Sequence, residues 1–229
     1  ENKESLYDAL ARTGANYLQD ILSKGVNVGV GLSKTLYYLQ KYIVPDGNLE
    51  ANFYSLTGGL TQVPDEYEHT NVIANLASAF GGTAYSILAP IFVSGPDVKA
   101  MLSQEKSIES ILNKAKNCDL AITSVGTHEK NSVLFRYTPL NFEEEVDLIL
   151  NKAVGDVLGR FYNIQGEEIQ SKLSEITIGL SIAELKEIPT VILIAGGERK
   201  LAAIQGALHG HIADVLITNK SCSEKLLEQ

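Results

Sequence analysis

Residues 26–39 read VNVGVGLSKTLYYL, and they set the architecture of the chain. Val26, Val28 and Val30 have the β-branched character of a strand, and Gly29 and Gly31 let backbone come close to a ligand. Leu32–Leu39 has the pattern of a helix start with Ser33 and Thr35 near its tip. A strand that turns directly into a helix aims backbone N–H groups and the positive end of the helix dipole at one spot, which favours an anion there. An ordinary tight turn between strand and helix has the same residue types, so this loop alone leaves both readings open.

Two familiar nucleotide patterns fail on named residues. The pattern GxxxxGK[ST], aligned so that it ends on Lys34-Thr35, requires glycine where Val28 and Ser33 stand. The dinucleotide pattern GxGxxG fits Gly29 and Gly31 and then requires glycine where Lys34 stands. Neither ATP nor NAD is therefore the expected ligand. What remains is a smaller phosphate cradle formed by Gly31, Leu32, Ser33, Lys34 and Thr35.

The alternation of strand and helix continues along the chain. Apolar, strand-like runs lie at 26–30, 51–56, 83–89, 119–125, 190–195 and 214–218, and segments of helical periodicity separate them at 33–43, 70–79, 107–117, 198–208 and 221–228. A first helix is predicted over 4–24, where Leu6, Leu10, Tyr17, Leu18, Ile21 and Leu22 share a face and Lys24-Gly25 supplies the stop. That face reads as either a subunit interface or a local packing surface. Strands alternating with helices mean parallel strands joined by crossovers, hence an α/β fold with a mostly parallel sheet covered by helices on both faces. Residues 154–180 break the rhythm and read as two extended pieces around the turn Gln165-Gly166, a small β insertion near the ligand edge of the sheet. One domain over 25–229 is expected, preceded by a connector helix over 1–24.

With 229 residues, 45% of them hydrophobic, the chain is long enough to bury one large core without disulfides. Cys118 and Cys222 have no paired spacing and no histidine cluster beside them, so they read as reduced structural thiols rather than a metal or redox centre. The 28 acidic against 19 basic residues give a formal net charge of −9. Such a surface repels a nucleic-acid backbone and argues against direct DNA contact by these residues. No apolar run approaches the ~20 residues that span a bilayer. The start, ENKESLYDAL, has neither the basic nor the apolar region of a signal peptide, so a cytoplasmic setting without membrane contact is expected.

In an open α/β sheet, ligands lie beyond the carboxyl ends of the strands, so the loops after the strands hold the candidate site. Thr57-Gly58-Gly59 offers a hydroxyl and two residues without side chains, although paired glycines are more often a plain turn. His69-Thr70-Asn71 stands at a helix start, where Thr70 serves equally as an N-cap. Ser124-Val125-Gly126-Thr127 is small and polar. Gly155-Asp156, followed by Gly159-Arg160-Phe161, supplies a carboxylate able to accept hydrogen bonds from sugar hydroxyls; a surface-turn aspartate has the same sequence. In AGGERKLAAI, residues 195–204, Gly196-Gly197 makes the turn and Lys200 falls in the first turn of a helix. A cation there opposes the dipole, and a partner anion explains its place better than helix stability does.

Taken together, these loops resemble the effector-binding domain of the SorC family of bacterial sugar-responsive transcription regulators. The matching pieces are VGVGLSKTLYYL (28–39), TGG (57–59), TNVIANLA (70–77), the Ala-Pro of ILAPIFV (87–93), GDVLGRFYNIQG (155–166), the run from Ile178 to Gly210, and ADVLITN (213–219). The resemblance spans nearly the whole chain from residue 5. It implies a Rossmann-like fold similar to glucosamine-6-phosphate deaminase and ribose-5-phosphate isomerase, working as a sensor and calling for no cofactor. It implies that the phosphate of a sugar sits at Gly31, Leu32, Ser33, Lys34 and Thr35 with Lys200, and that the sugar is read by Thr57, Gly58, Gly59, His69, Asn71, Gly126 and Asp156. It further implies homodimers or homotetramers, and contact with DNA only through an N-terminal helix-turn-helix domain that this chain lacks. The chain departs from the family pattern at two positions. The family often has Asp where Asn163 stands, and a basic residue can occupy the position of Thr57. Without that base one phosphate contact is missing, which argues against a doubly phosphorylated sugar.

The expected function is therefore sensing, in which a phosphorylated sugar shifts the equilibrium between quaternary states of differing DNA affinity. The competing class is an active sugar-phosphate isomerase or deaminase on the same fold. That chemistry needs a carboxylate base beside the phosphate loop, usually with a second acid or a histidine. Beyond Asp156 and Lys200, the sequence offers only His128-Glu129 for it. A buried Lys200 is also a candidate for an imine with an aldehyde sugar.

Overall fold

The computed structural model describes residues 3–60, 69–127, 129 and 132–228. Its strands, in chain order, are β1 (Asn27–Val30), β2 (Asn52–Ser55), β3 (Ala84–Tyr85), β4 (Leu120–Thr123), β5 (Gly155–Val157), β6 (Arg160–Tyr162), β7 (Val191–Ile194) and β8 (Val215–Ile217). The helices are α1 (Lys3–Ile21), α2 (Lys34–Leu39), α3 (His69–Ala79), α4 (Pro96–Gln104), α5 (Lys106–Ala115), α6 (Val133–Tyr137), α7 (Phe142–Leu150), α8 (Lys172–Ile176), α9 (Ile182–Lys186), α10 (Leu201–His209) and α11 (Lys220–Leu227).

Six strands form one sheet in the order β3-β2-β1-β4-β7-β8, with every pairing parallel. These are the six strands expected from the apolar runs. The order reverses between β1 and β4, so the connections after them leave in opposite directions and open a crevice at the carboxyl edge.

Successive side chains of a strand point to opposite faces, and both faces are covered. Val28, Val30, Phe53, Ile122, Ile192 and Ile194 pack on one face with α1, α2 and α3. Tyr54, Ala121, Val191 and Leu193 pack on the other with α9, α10 and the β5-β6 hairpin. That double burial explains why the strands read as apolar runs rather than alternating ones. Leu10, Ala11, Ala15 and Leu18 of α1 are buried within the first layer, so the apolar face of this helix is a local packing surface. A Cβ on Gly14 would lie 2.6 Å from Ile194 Cδ1, which shows how closely α1 approaches the sheet. Full burial of a leucine contributes roughly 1.5–3 kcal/mol, so α1 is an integral part of the core.

The irregular section differs from the expectation. β5 and β6 pair antiparallel, but the turn between them is Leu158-Gly159, with φ of 55° and 75°. Positive φ at both central residues is the type I′ combination that suits a two-residue hairpin. Gln165-Gly166 makes a second turn, held by Asn163 Oδ1 accepting from the N–H groups of Gln165 and Glu167, and Tyr162 bridges to Glu168 beyond it. The segment is thus a short meander, and it ends in α8, capped by Ser171, rather than in a second extended piece. An aspartate at 163 would accept the same two bonds, so Asn163 preserves this turn.

The hairpin lies across the carboxyl edge of the sheet. Asp156 bridges to Gly126 after β4. Leu158 Cδ2 comes within 3.1 Å of where a Cβ on Gly31 would stand, and Leu158 O accepts from Thr57 Oγ1 at 3.4 Å.

Candidate functional site

The loop after β1 is shaped by its glycine. Gly31 N–H donates to Ile122 O at 2.8 Å, and a Cβ at 31 would lie 2.2 Å from Thr123 Oγ1. Ser33 has extended backbone (φ −163°, ψ 152°) and caps α2 by accepting from Leu36 N–H at 3.0 Å. The first-turn N–H groups of a helix have no acceptor within it, and here that turn begins at the carboxyl edge. Thr35 is buried beneath it. Leu32 packs its side chain into an apolar cluster with Ile91 and Phe161, so any part it plays at the crevice is through backbone. Lys34 turns its ammonium back toward α1, 5.1 Å from the centre of the Tyr7 ring and 5.7 Å from that of Tyr38. Of the two expected cations, Lys34 is held over aromatic rings and Lys200 faces the crevice.

Lys200 is positioned by the loops after β7 and β8. Gly197 takes φ of 96°, and its N–H donates to Asn219 Oδ1 at 2.9 Å, which ties the two loops together. From the short 3-10 turn Glu198–Lys200, the ammonium reaches Ser124 Oγ at 3.4 Å, just beyond β4. Burial lowers the Lys200 pKa to about 8, against the attraction of the Asp156 carboxylate.

Asp156 stands beside this lysine. Its backbone exchanges two hydrogen bonds with Gly126, at 2.9 and 3.3 Å, and the residue is only 7% exposed. Oδ2 accepts from Gly159 N–H at 3.3 Å, whereas Oδ1 is buried with no hydrogen-bond partner among the described residues. Burial raises the carboxyl to about 6, against the Gly159 N–H and the charge of Lys200. A buried polar group left without a partner costs about 1–3 kcal/mol. A ligand offering a hydroxyl to Asp156 and an anion to Lys200 would offset both costs.

The loop after β2 is different in kind. Thr57 is fully buried, and its Oγ1 donates to Ile178 O at 3.0 Å. Gly58 N–H donates to Ile178 O at 3.0 Å and Gly59 N–H to Ala89 O at 2.9 Å. A Cβ on Gly58 would lie 2.6 Å from Pro90 O. The three residues expected to read the sugar therefore form a seam that joins the loops after β2 and β3 to Ile178, with these donors already committed. His69 opens α3, and its side chain is outside the described ones; Asn71 is exposed in the first turn of the same helix. His128 also lies outside the described residues, and Glu129 pairs with Arg199 at 3.9 Å.

Several residues gain a part that the motifs do not reveal. Thr123 ends β4 and Ser124 follows it at the order reversal, and Asn219 follows β8, so the rule that points to loops after strands reaches Ser124 and Asn219. Leu158, which roofs Gly31, carries no such signal. Cys118 and Cys222 are buried and free. Among the described residues no group of three His, Cys, Asp or Glu side chains is arranged for a metal, and no helix is long and apolar enough to cross a membrane. An open groove on α7 and α8, bordered by Phe142, Val146, Leu150 and Lys172, shares no residue with the crevice.

Comparison with known proteins places this geometry in company. The family model described as "Putative sugar-binding domain" matches residues 1–228. The deoxyribonucleoside regulator of Bacillus subtilis is 32% identical over 218 residues, covering 95% of this chain and 69% of that protein. A crystal structure of the probable sor operon regulator from Shigella flexneri superposes with a TM-score of 0.90 at 25% identity, covering 99% of this chain and 89% of that one. The full-length sorbitol operon regulator SorC from Klebsiella pneumoniae shares the fold, with a TM-score of 0.92 at 23% identity over 99% of this chain and 73% of that one. The chain spans about two thirds of the length of the curated relatives it matches.

Proposed function

The chain belongs to the sugar-binding domain family of SorC-type transcription regulators, and we propose that its crevice between the β1 and β4 loops takes up a phosphorylated sugar. The observation that carries this reading is the pair formed by Asp156 and Lys200: a buried carboxylate oxygen lacking a donor among the described residues, beside a half-buried ammonium held by Ser124 at the same edge. In this reading the phosphate lies at Ser33, Lys34 and Thr35, where backbone N–H groups start α2, with Lys200 across from it. Ser124 and Asp156 meet the hydroxyls. The carboxylate prefers these to be neutral donors, since a second anion beside it would be repelled.

The relatives named above are regulators, not enzymes. In the longer protein, the bound sugar phosphate shifts an equilibrium between assemblies of differing DNA affinity. A differential affinity of about 1–3 kcal/mol between two states is enough for a useful response. The acidic surface of this chain leaves DNA contact to another domain.

A thermal-shift panel tests the reading. Sugar phosphates should raise the melting temperature, with the matching free sugars much weaker. Stabilisation by free sugars with none from any sugar phosphate would remove the phosphate from the proposal.

A further inference from the structure

We propose that the exposed apolar face of α7 is where a second copy of this chain docks, its own α7 lying antiparallel along the groove between α7 and α8. This stands on that face alone and is independent of what the crevice binds.

On a helix, positions 142, 146, 149 and 150 fall within about 100° of arc, so Phe142, Val146, Ile149 and Leu150 form one stripe along α7. The helix buries only Leu148, on its other side. Phe142, Ile149 and Leu150 are 80%, 65% and 75% exposed. Three of the eight large apolar side chains that stand exposed among the described residues thus share nine residues of chain, a cluster rather than the usual scatter. The apolar face of α1 is spent inside the core, and that of α7 is left open.

The groove beside the stripe is already shaped. Gln170, Lys172 and Glu175 line it opposite Phe142, Val146 and Leu150. Its α8 wall is fixed from below, because Arg160 and Lys99 both donate to Ser174 O, at 2.8 and 2.9 Å, and Leu173 is buried. Lys172 is tied across the groove to Glu143. A surface held in this way loses little freedom when a partner covers it.

Two features favour a second copy as that partner. An antiparallel pair with its two-fold axis at Val146 sets Phe142 of each copy against Leu150 of the other, a flat ring against a branched side chain. Glu143, Glu144 and Glu145 open the helix and Lys152 stands just past its end, so this pairing brings acidic turns beside lysines. A parallel pair would set acid against acid, and a wholly basic partner would meet Lys152 and Lys172 as well as the glutamates. The three exposed side chains offer roughly 400 Å² per copy, taking ~200 Å² for a large side chain. That is about half of the ~800 Å² per partner in a standard interface, and the α8 wall adds to it. A two-fold contact also covers the stripe in both copies at once and closes the assembly.

Sedimentation of the 229-residue chain over about 0.1–100 µM should show a dimer. Phe142→Asp and Leu150→Asp, at exposed positions where folding is retained, should each weaken it at least about thirtyfold. Leu227→Asp, at an 87% exposed leucine of α11, should leave it unchanged. Circular dichroism verifies the fold of each variant. A short bis-maleimide supplies the register without any acidic variant: Val146→Cys should link to itself, and Phe142→Cys should link to Leu150→Cys in a mixture more than to itself, with the buried Cys118 and Cys222 silent. A chain that stays monomeric across the series, or a dimer indifferent to both aspartates, overturns the proposal. Self-linking of Phe142→Cys equal to that of Val146→Cys, or no linking at any of the three positions, overturns the antiparallel two-fold.

Discussion

Asp156 Oδ1 lies 2.1 Å from the point where a Cβ on residue 126 would stand, so glycine at Gly126 is a condition of where the buried carboxylate sits. Gly126→Ala forces Asp156 or the hairpin that bears it to move. Overpacking of this kind costs about 1–3 kcal/mol, and the displaced carboxylate should lower affinity for the best-binding sugar phosphate by about tenfold or more. Gly47→Ala, where a Cβ meets nothing within 4 Å, is the control and should change neither. Urea unfolding and calorimetry on the two variants give both readouts.

Stability should fall and then rise with pH. Folded Asp156, at about 6, holds a proton that an unfolded carboxylate near 3.8 has released. Its contribution is complete below pH ~4 and is lost as pH rises through ~6, with an upper bound of ~3 kcal/mol. Lys200 acts in the opposite sense: folded, it releases its proton near 8, whereas the unfolded side chain keeps it to 10.5. Stability therefore increases from pH ~8 toward ~10.5. The chain without effector should be least stable between these limits, where both groups are charged. Melting temperatures across this range should show the minimum, and Asp156→Asn should lose the acid limb.

Lys200 is expected to separate stability from binding. Lys200→Met removes a half-buried charge that donates to the Ser124 hydroxyl and sits in the field of Asp156. The variant should match or exceed the parent in urea unfolding and lose more than ~1 kcal/mol of affinity for a sugar phosphate, the scale of a charge-assisted hydrogen bond. Unchanged affinity would place Lys200 outside the phosphate contacts. Borohydride reduction with ribose 5-phosphate, followed by intact mass, separates an ionic contact, which adds no mass, from an imine.

The sheet was legible because its central strands are buried on both faces, which leaves an unbroken apolar run such as VILI at 191–194. Short helices were harder to see. α9 and α7 open with capping boxes, Ser181 with Glu184 and Asn141 with Glu144, a signal present in the sequence at the right spacing. The hairpin turn stayed hidden because Leu158 occupies a left-handed conformation that its side chain gives no reason to expect. At the site, Asp156 and Lys200 stood out as charges beside glycine turns. The part played by Thr57-Gly58-Gly59 was not legible, since the carbonyl that takes two of its donors belongs to Ile178, more than a hundred residues away.

The contact of Lys34 with Tyr7 joins the loop after β1 to α1, and the glycine turn after β7 leans on the same helix. A Cβ on Gly197 would stand 3.2 Å from Leu6 Cδ2, and one on Gly196 would stand 3.1 Å from Leu10 Cδ1. The first turns of α1 thus brace both loops that flank the proposed phosphate. Tyr7 also stacks on Tyr38 with ring centres 5.8 Å apart. Tyr7→Leu removes the stack and the face beneath the ammonium, a loss of about 0.5–2 kcal/mol. Tyr7→Phe keeps the ring and should stay within ~0.5 kcal/mol of the parent. Because Lys34 follows the Ser33 cap of α2 directly, the leucine variant should also bind sugar phosphate about two- to fivefold more weakly, through a loop less well held. Equal stability and equal affinity for the leucine and phenylalanine variants would show that apolar contact at this point is sufficient and that the ring has no part in holding the loop.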